Sequence, residues 1–307
     1  MQIGMVGLGR MGMNMARRLL RGGHQVAGYD MSPAKVGELV REENAKGAFS
    51  LEELVSRLSP PRFVWLMVPA GRTVDENVDT LAGLLQEGDT IIDGGNSFYK
   101  DDCRRSEHLA RRGINYLDIG VSGGIWGLEH GYCLMIGGDQ DIFKKIEPAV
   151  ATLATKDGYL YCGPCGAGHF VKMVHNGIEY GMLAAYGEGF DIMEKSPFCE
   201  SLDFAKVAHL WNNGSVVRSW LLELAENAFN KDPRLAGIKG YVEDSGAGRW
   251  TVLQAIEESV SAPVLALSLF QRFRSRETDT FSDKLIAALR NEFGGHEVRK
   301  KEGKGEK

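Results

Sequence analysis

Cysteine is scarce in this chain: five in 307 residues, an odd number, with no spacing that suggests a disulfide framework. That excludes a stapled secreted scaffold and fits a reducing compartment. No apolar run reaches the ~18 residues that a membrane-spanning helix needs. The N-terminus lacks a charged n-region, an apolar h-region and a cleavage site, and enters a strand-like run at Gln2 at once, so no secretory signal is expected. An excess of positive charge is missing too. Lysine and arginine number 36 against 41 acids, a net charge of −5, which gives no reason to expect nucleic acid or an anionic membrane as a partner. No internal repeat is visible. These absences point to a cytoplasmic, globular protein of ordinary composition, 43% hydrophobic and 25% charged, with room for about two domains at ~150 residues each.

What the chain has in excess is glycine, 39 residues, concentrated in the first 170, where loops bring backbone close to a ligand. That half alternates short apolar runs with amphipathic stretches. The runs are Ile3–Val6, Gln25–Tyr29, Phe63–Val68, Thr90–Asp93, Tyr116–Val121, Cys133–Ile136 and Tyr159–Cys162. Helical patterns at Met13–Arg21, Pro33–Arg41, Val74–Leu85 and Cys103–Arg112 lie between several of them. Strand–helix alternation predicts βαβ units and a mainly parallel sheet. After about residue 166 strand signals stop, and 3.6-period stretches take over at Gly166–Glu194, Phe204–Ala228, Thr251–Ser259, Pro263–Arg274 and Asp283–Phe293. The expected fold is α/β: a Rossmann-type domain over residues 1–165, an all-helical domain over 166–298, and a charged, disordered tail over 299–307.

Gly7-Leu8-Gly9-Arg10-Met11-Gly12 follows the first strand and opens the first helix. The pattern is weak alone, but its context suits a dinucleotide. Gly7 permits the turn, Gly9 lets backbone approach a pyrophosphate, and Gly12 lets helix and strand pack closely, with the helix N-terminus facing the phosphates. Asp30 ends the second strand, where a carboxylate accepts hydrogen bonds from ribose hydroxyls and repels a 2′-phosphate. Met31, Ser32 and Pro33 supply no arginine to hold that phosphate, and Lys35 is placed on the outer face of a helix. NAD is therefore expected over NADP.

Two further segments carry chemistry. One is the small-residue loop Ser122-Gly123-Gly124 after a strand. The other is Gly166–Tyr180. In a helix, Lys172, His175, Asn176 and Glu179 fall at i, i+3, i+4 and i+7, on one face. A competing reading is a solvated helix face with local pairs. Against it, Val171, Met173, Val174 and Ile178 already supply an apolar stripe, and flanking glycines weaken a merely structural helix.

With these residues in view, the sequence resembles the 6-phosphogluconate dehydrogenases, among the β-hydroxyacid dehydrogenases. The resemblance rests on Gly7–Gly12 with Met11, Asp93-Gly94-Gly95-Asn96-Ser97, Ser122-Gly123-Gly124, Gly168–Tyr180, Gly246-Ala247-Gly248-Arg249-Trp250-Thr251 and Phe293-Gly294-Gly295-His296, in the family's order over nearly the whole chain. The length is that of shorter members whose helical domain is not duplicated. The resemblance implies oxidative decarboxylation of 6-phosphogluconate to ribulose 5-phosphate and CO₂, serving pentose supply or gluconate use. It implies Lys172 as general base, its pKa lowered by burial and the helix N-terminus. It implies Glu179 as the acid that protonates C1 of the enediol. Asn176, His175, Ser122, Gly123 and Gly124 would hold substrate, with Val68 on the cofactor and Asn96 between cofactor and substrate, and the helical domain would serve substrate binding and dimerisation. Tyr180, Arg272, Arg290 and His296 would bind the phosphate, the last two from a partner subunit, which makes the protein a homodimer or homotetramer. No metal is expected.

Some features depart from the family or distract. Ser245 stands where longer members carry a phosphate-binding lysine; Arg249 or Lys239 is a candidate to compensate. Ile125 and Trp126 replace acidic residues, and Trp126 either walls the substrate pocket or packs. Cys162-Gly163-Pro164-Cys165 has the letters of a thioredoxin motif without its context. A minor expectation is redox sensitivity at Cys165, whose pKa a helix N-terminus would depress. His24, His108, His130 and His209 are read as structural or surface residues. Two rival readings stay open: dehydrogenation of a small unphosphorylated β-hydroxyacid, which needs no Arg272, Arg290 or His296, and a non-catalytic NAD-binding sensor.

Overall fold

The computed structural model describes residues 1–43, 45–294 and 297–299. Among them one sheet contains β1 (Gln2–Val6), β2 (Gln25–Tyr29), β3 (Lys46–Ala48), β4 (Phe63–Leu66), β5 (Thr90–Asp93), β6 (Asn115–Ser122), β7 (Tyr132–Gly138) and β8 (Ala154–Gly163). The strand order is β3-β2-β1-β4-β5-β6-β7-β8. The first six strands run parallel, β7 turns antiparallel to β6, and β8 runs parallel to β7. The order reverses between β1 and β4, so a crevice opens beyond their carboxyl ends, where ligands of such sheets bind.

Helices α1 (Arg10–Arg21), α2 (Pro33–Glu43), α3 (Leu51–Ser56), α4 (Arg72–Leu84), α5 (Tyr99–Ala110), α6 (Gly127–His130) and α7 (Gln140–Leu153) connect the strands. A sheet covered on both faces must alternate its apolar side chains between two cores. It does so here. Met5, Trp65, Ile92 and Leu117 join residues of α1, α2 and α7 such as Leu19, Leu39 and Ile146. Val6, Leu66, Ile91 and Tyr116 join Leu54, Leu81 and Leu109 of α3, α4 and α5 on the other face. The mainly parallel α/β architecture read from the sequence is the one observed.

Beyond β8 the described residues form α8 (Ala167–Glu194), α9 (Phe204–Asn212), α10 (Trp220–Lys231), α11 (Ala247–Glu257), α12 (Pro263–Arg274) and α13 (Phe281–Gly294), with a short 3-10 turn before α9. The stretch expected as one helix, Phe204–Ala228, is broken. Gly214 takes a left-handed φ of +100°, and Ser219 starts α10 by accepting a hydrogen bond from the Leu222 amide. By compactness the chain forms one unit of Met1–Glu179 with Gly246–Val260 and a second of Tyr180–Ser245 with the residues from Ser261 on. The second has its own hydrophobic core of Phe190, Phe204, Ala208, Leu222 and Phe229.

Candidate active site

The turn after β1 forms a glycine-lined cradle. Gly7 has φ +91°, and a Cβ there would lie 2.5 Å from the Met67 carbonyl oxygen. At Gly12 a Cβ would lie 2.0 Å from the Gly7 carbonyl oxygen, so α1 can approach the strand only without one. Gly9, between them, faces open space. It is also the N-cap of α1 and offers no side chain to the first-turn amides, which stay free for an anion. The cradle thus fits a pyrophosphate. Leu8 is buried and can meet a ligand only through its backbone, whereas Arg10 is exposed and Met11 half-buried. Val68 packs beside Gly7, its methyl 3.0 Å from the position a Gly7 Cβ would take.

Asp30 fixes this turn. Its carboxylate accepts hydrogen bonds from the Leu8 amide at 2.7 Å and the Ser32 amide at 2.9 Å. Each oxygen has a second lone pair for a ribose hydroxyl. Lys35 does not turn away as expected: its Nζ lies 3.5 Å from Asp30 Oδ2. Five residues on, the first turn of α2 brings its stem back to the strand end, so Asp30 faces the crevice with a cation beside it.

The second cluster lies on the first turns of α8, inside the first compact unit. Helix and sheet touch closely here because the contact residues are glycines. A Cβ on Gly120 of β6 would stand 2.4 Å from Lys172 Cβ, and one on Gly168 would stand 2.4 Å from the Met135 carbonyl oxygen. Asp118 of β6 caps α8 from outside the helix, accepting from the Gly166 amide at 2.7 Å and the His169 amide at 2.9 Å. The helix that carries the candidate base is therefore pinned to the strand that ends in Ser122.

Lys172 is 8% exposed, and burial pushes its pKa down from the ordinary lysine range, opposed by the Glu179 carboxylate one helical face along. Its Nζ is 3.5 Å from His175 Nδ1, which is 3.1 Å from Asn176 Oδ1. His175 Nε2 lies 3.5 Å from the Ser122 hydroxyl. Asn176 donates to Asn96 Oδ1 at 3.2 Å, joining α8 to the loop after β5. Lys172, His175, Asn176, Ser122 and Asn96, chosen from the sequence, thus form one hydrogen-bonded group, with Glu179 half-buried on the same stripe. Gly123 and Gly124 follow Ser122 with φ of +128° and +55°, before an exposed Trp126 whose ring stacks on His130.

In the second unit, Tyr180 is buried and Arg272 lies flat on it, its guanidinium carbon 3.4 Å from the ring centroid. Tyr180 Oη accepts from the Ser245 amide at 3.1 Å, and Arg272 donates to the Glu243 carbonyl at 2.9 Å. Arg274 and Arg276 are committed to Asp283 and Asp244. Lys239 stands over the Tyr241 ring at 6.0 Å. Arg290 is exposed on α13, while His296 and residues 300–307 of the expected tail lie outside the described residues.

The sequence reading of Cys165 needs correction. Burial, with the Asp118 and Asp102 carboxylates nearby, pushes its thiol pKa up rather than down, and burial does the same to Cys162. The helix amides that would have depressed it are already taken by Asp118. Both cysteines are free thiols. Sequence reasoning also missed Asp118, Asp102 and His169, which only the strand order brings together; His169 lay inside the quoted motif with no role attached.

Residues 2–165 match the pattern of the NAD binding domain of 6-phosphogluconate dehydrogenase, and residues 168–281 match that family's C-terminal domain. The chain is 50% identical over 301 residues to YqeC of Bacillus subtilis, provisionally named a 6-phosphogluconate dehydrogenase, covering 98% of this chain and 100% of that one. It is 43% identical over 304 residues, with 98% and 100% coverage, to an NAD(+)-dependent, decarboxylating 6-phosphogluconate dehydrogenase of Haloferax volcanii. Among solved structures, the Plasmodium falciparum 6-phosphogluconate dehydrogenase, studied apo, with NADP+ and with 6-phosphogluconate, superposes with a TM-score of 0.82 at 29% identity, over 99% of this chain and 67% of that one.

Proposed function

The chain belongs to the 6-phosphogluconate dehydrogenase family, and we propose that it converts 6-phosphogluconate and NAD to ribulose 5-phosphate, CO₂ and NADH. The observation that carries this reading is the buried Lys172, lowered in pKa, within one group with His175, Asn176, Ser122 and Asn96. NAD, when bound, supplies the acceptor for the C3 hydride. Gly7–Gly12, Asp30, Val68 and Asn96 are the residues we assign to hold it.

Neutral Lys172 takes the C3 hydroxyl proton as the hydride leaves C3. The resulting 3-keto acid loses CO₂ because the carbonyl delocalises the electron pair left behind. Lys172, now an ammonium, returns its proton to that oxygen to give the enediol. Glu179 then protonates C1 while Lys172 takes the enediol proton back, leaving the ketose. His175, Asn176, Ser122, Gly123 and Gly124 hold the hydroxyl and carboxylate groups. Tyr180 and Arg272 are assigned to the phosphate, where a guanidinium can fork two hydrogen bonds. Arg290 and His296 are assigned to the same phosphate in a partner's site. Exposed Leu267, Phe270, Leu285 and Leu289 on α12 and α13 support a homodimer or larger assembly. No helix among the described residues is long and apolar enough to cross a membrane. We assign the protein to the cytoplasm on its few, free cysteines.

The test is the initial rate with 6-phosphogluconate, NAD against NADP, with CO₂ followed in parallel. Turnover with CO₂, faster with NAD, is the expected result. Turnover favouring NADP would overturn the role of Asp30. Absence of turnover with either would move the substrate to an unphosphorylated β-hydroxyacid.

A further inference from the structure

Asn96 sits on the loop Asp93–Ser97, and that loop is held from both ends. Asp93 accepts from the Gly95 amide at 2.9 Å and the Ser97 hydroxyl at 2.6 Å. Asn176 of α8 meets Asn96 itself. A second tie runs from α8 to the residue before it. His169, one turn ahead of Lys172 and 1% exposed, places Nε2 3.1 Å from the Gly95 carbonyl oxygen. Its Nδ1 is 2.7 Å from Asp102 Oδ2, and Asp102 Oδ1 accepts from the Tyr116 hydroxyl at 2.8 Å. Both ring nitrogens thus face acceptors, and a ring so placed serves them best with two protons. Burial works against that charge, but the Asp102 carboxylate holds the His169 pKa above the ordinary histidine range.

We propose that His169 is a positioning residue: its Nε2–H, aimed by Asp102, holds the Gly95 carbonyl and so fixes Asn96 relative to Lys172 at the junction of cofactor and substrate. This rests on the reading of Asn96 and Lys172 given above. His169, Lys172 and Asn176 occupy i, i+3 and i+7 of α8, so one helix face carries the base and both ties. Loop and base then move as one body. A His169 that merely filled space would need no donor toward Gly95, and one that only neutralised Asp102 would need just its Nδ1.

Two substitutions separate the nitrogens. His169→Gln carries an amide where Nε2 was and keeps a donor for Gly95. His169→Asn carries one where Nδ1 was and keeps only the Asp102 contact. A misplacement of ~1 Å in a catalytic group can cost about 10²-fold. The expected result for His169→Asn is a loss of kcat of about ten-fold or more, with a larger primary deuterium isotope effect from C3-deuterated substrate and faster amide hydrogen exchange in residues 94–98. His169→Gln, which leaves Asp102 to Tyr116 and Arg105, is expected to lose clearly less kcat than His169→Asn and to keep exchange in residues 94–98 nearer that of wild type. Equal impairment of the two variants, or a His169→Asn enzyme with wild-type kcat and exchange, would overturn the proposal. So would failure of both to fold, since that makes His169 a core residue. The wild-type control keeps this apart from the function itself: if wild type does not turn over 6-phosphogluconate, the substrate reading fails, while the exchange data still judge the tie to Gly95.

Discussion

Replacing Gly120 by alanine perturbs the candidate base without removing a polar group. The added methyl would stand 2.4 Å from Lys172 Cβ, 3.0 Å from its Cγ and 3.1 Å from the Gly168 carbonyl oxygen. Carbon–carbon contacts settle at ~3.5–4.0 Å, so α8 must retreat by about 1 Å at Lys172. The retreat is resisted, because Asp118 caps the helix and the Gly168 backbone already touches β7. Overpacking of this kind costs about 1–3 kcal/mol of stability. Its effect on the reaction should be larger in proportion, since a ~1 Å shift of a catalytic group costs about 10²-fold in rate, about 2.7 kcal/mol at the transition state. The cradle around Gly9 lies at the ends of β1 and β4 and uses none of these contacts. Steady-state kinetics and NADH fluorescence titration on the same preparation are the assay. The expected pattern is a kcat near one-hundredth of wild type with NADH affinity kept. A Gly120→Ala enzyme with wild-type kcat would refute the claim that this close approach sets the position of Lys172.

Gly9→Ala should leave thermal stability unchanged, because its Cβ meets nothing within 4 Å, yet weaken NAD binding about ten-fold or more by filling the phosphate approach, as read by calorimetric titration. Since burial lowers the Lys172 pKa, kcat/KM should rise with pH along a limb below the ordinary lysine range. Glu179 raises that pKa, so Glu179→Gln should move the limb of the residual activity further toward acid; a limb that moves toward alkali would contradict the pairing. At pH 8 a disulfide reagent should modify exposed Cys133 before Cys165, whose thiol is held protonated by burial and nearby carboxylates; peptide mapping of the adducts decides the order. Ending the chain after Arg290, which removes His296, should raise KM for 6-phosphogluconate and leave NAD affinity alone; equal damage to both would contradict a phosphate site shared between subunits.

What the sequence made legible was local. The stripe Lys172, His175, Asn176, Glu179 needs only helical periodicity, and Gly7–Gly12 needs only one strand, one turn and one helix. Features with weak local signal were missed. β3 is three residues, Lys46–Ala48, on the sheet edge, too short for any alternation to register. α7 carries Pro148 inside it, which reads as a breaker, although its apolar residues from Ile142 to Leu153 fill one of the two cores. Lys35 reaches Asp30 because of how α2 leaves its strand, which spacing alone does not give.

The missed polar residues follow a different rule. Asp118 and His169 are 51 positions apart, Asp102 and His169 are 67 apart, and His169 and Gly95 are 74 apart. They meet because β5 and β6 are neighbours and α8 begins beside both. None of these contacts has a sequence period, so no pattern in the chain announces them. A buried carboxylate left unpaired would cost several kcal/mol, which makes each member depend on all the others. Asp118 pins the start of α8, Asp93 shapes the loop that holds Asn96, and His169 joins the two. The motif residues we assign to substrate were readable because they share one helix face. The residues that give that face its place against the loop belong to three separate segments, and only the folded sheet makes them a unit.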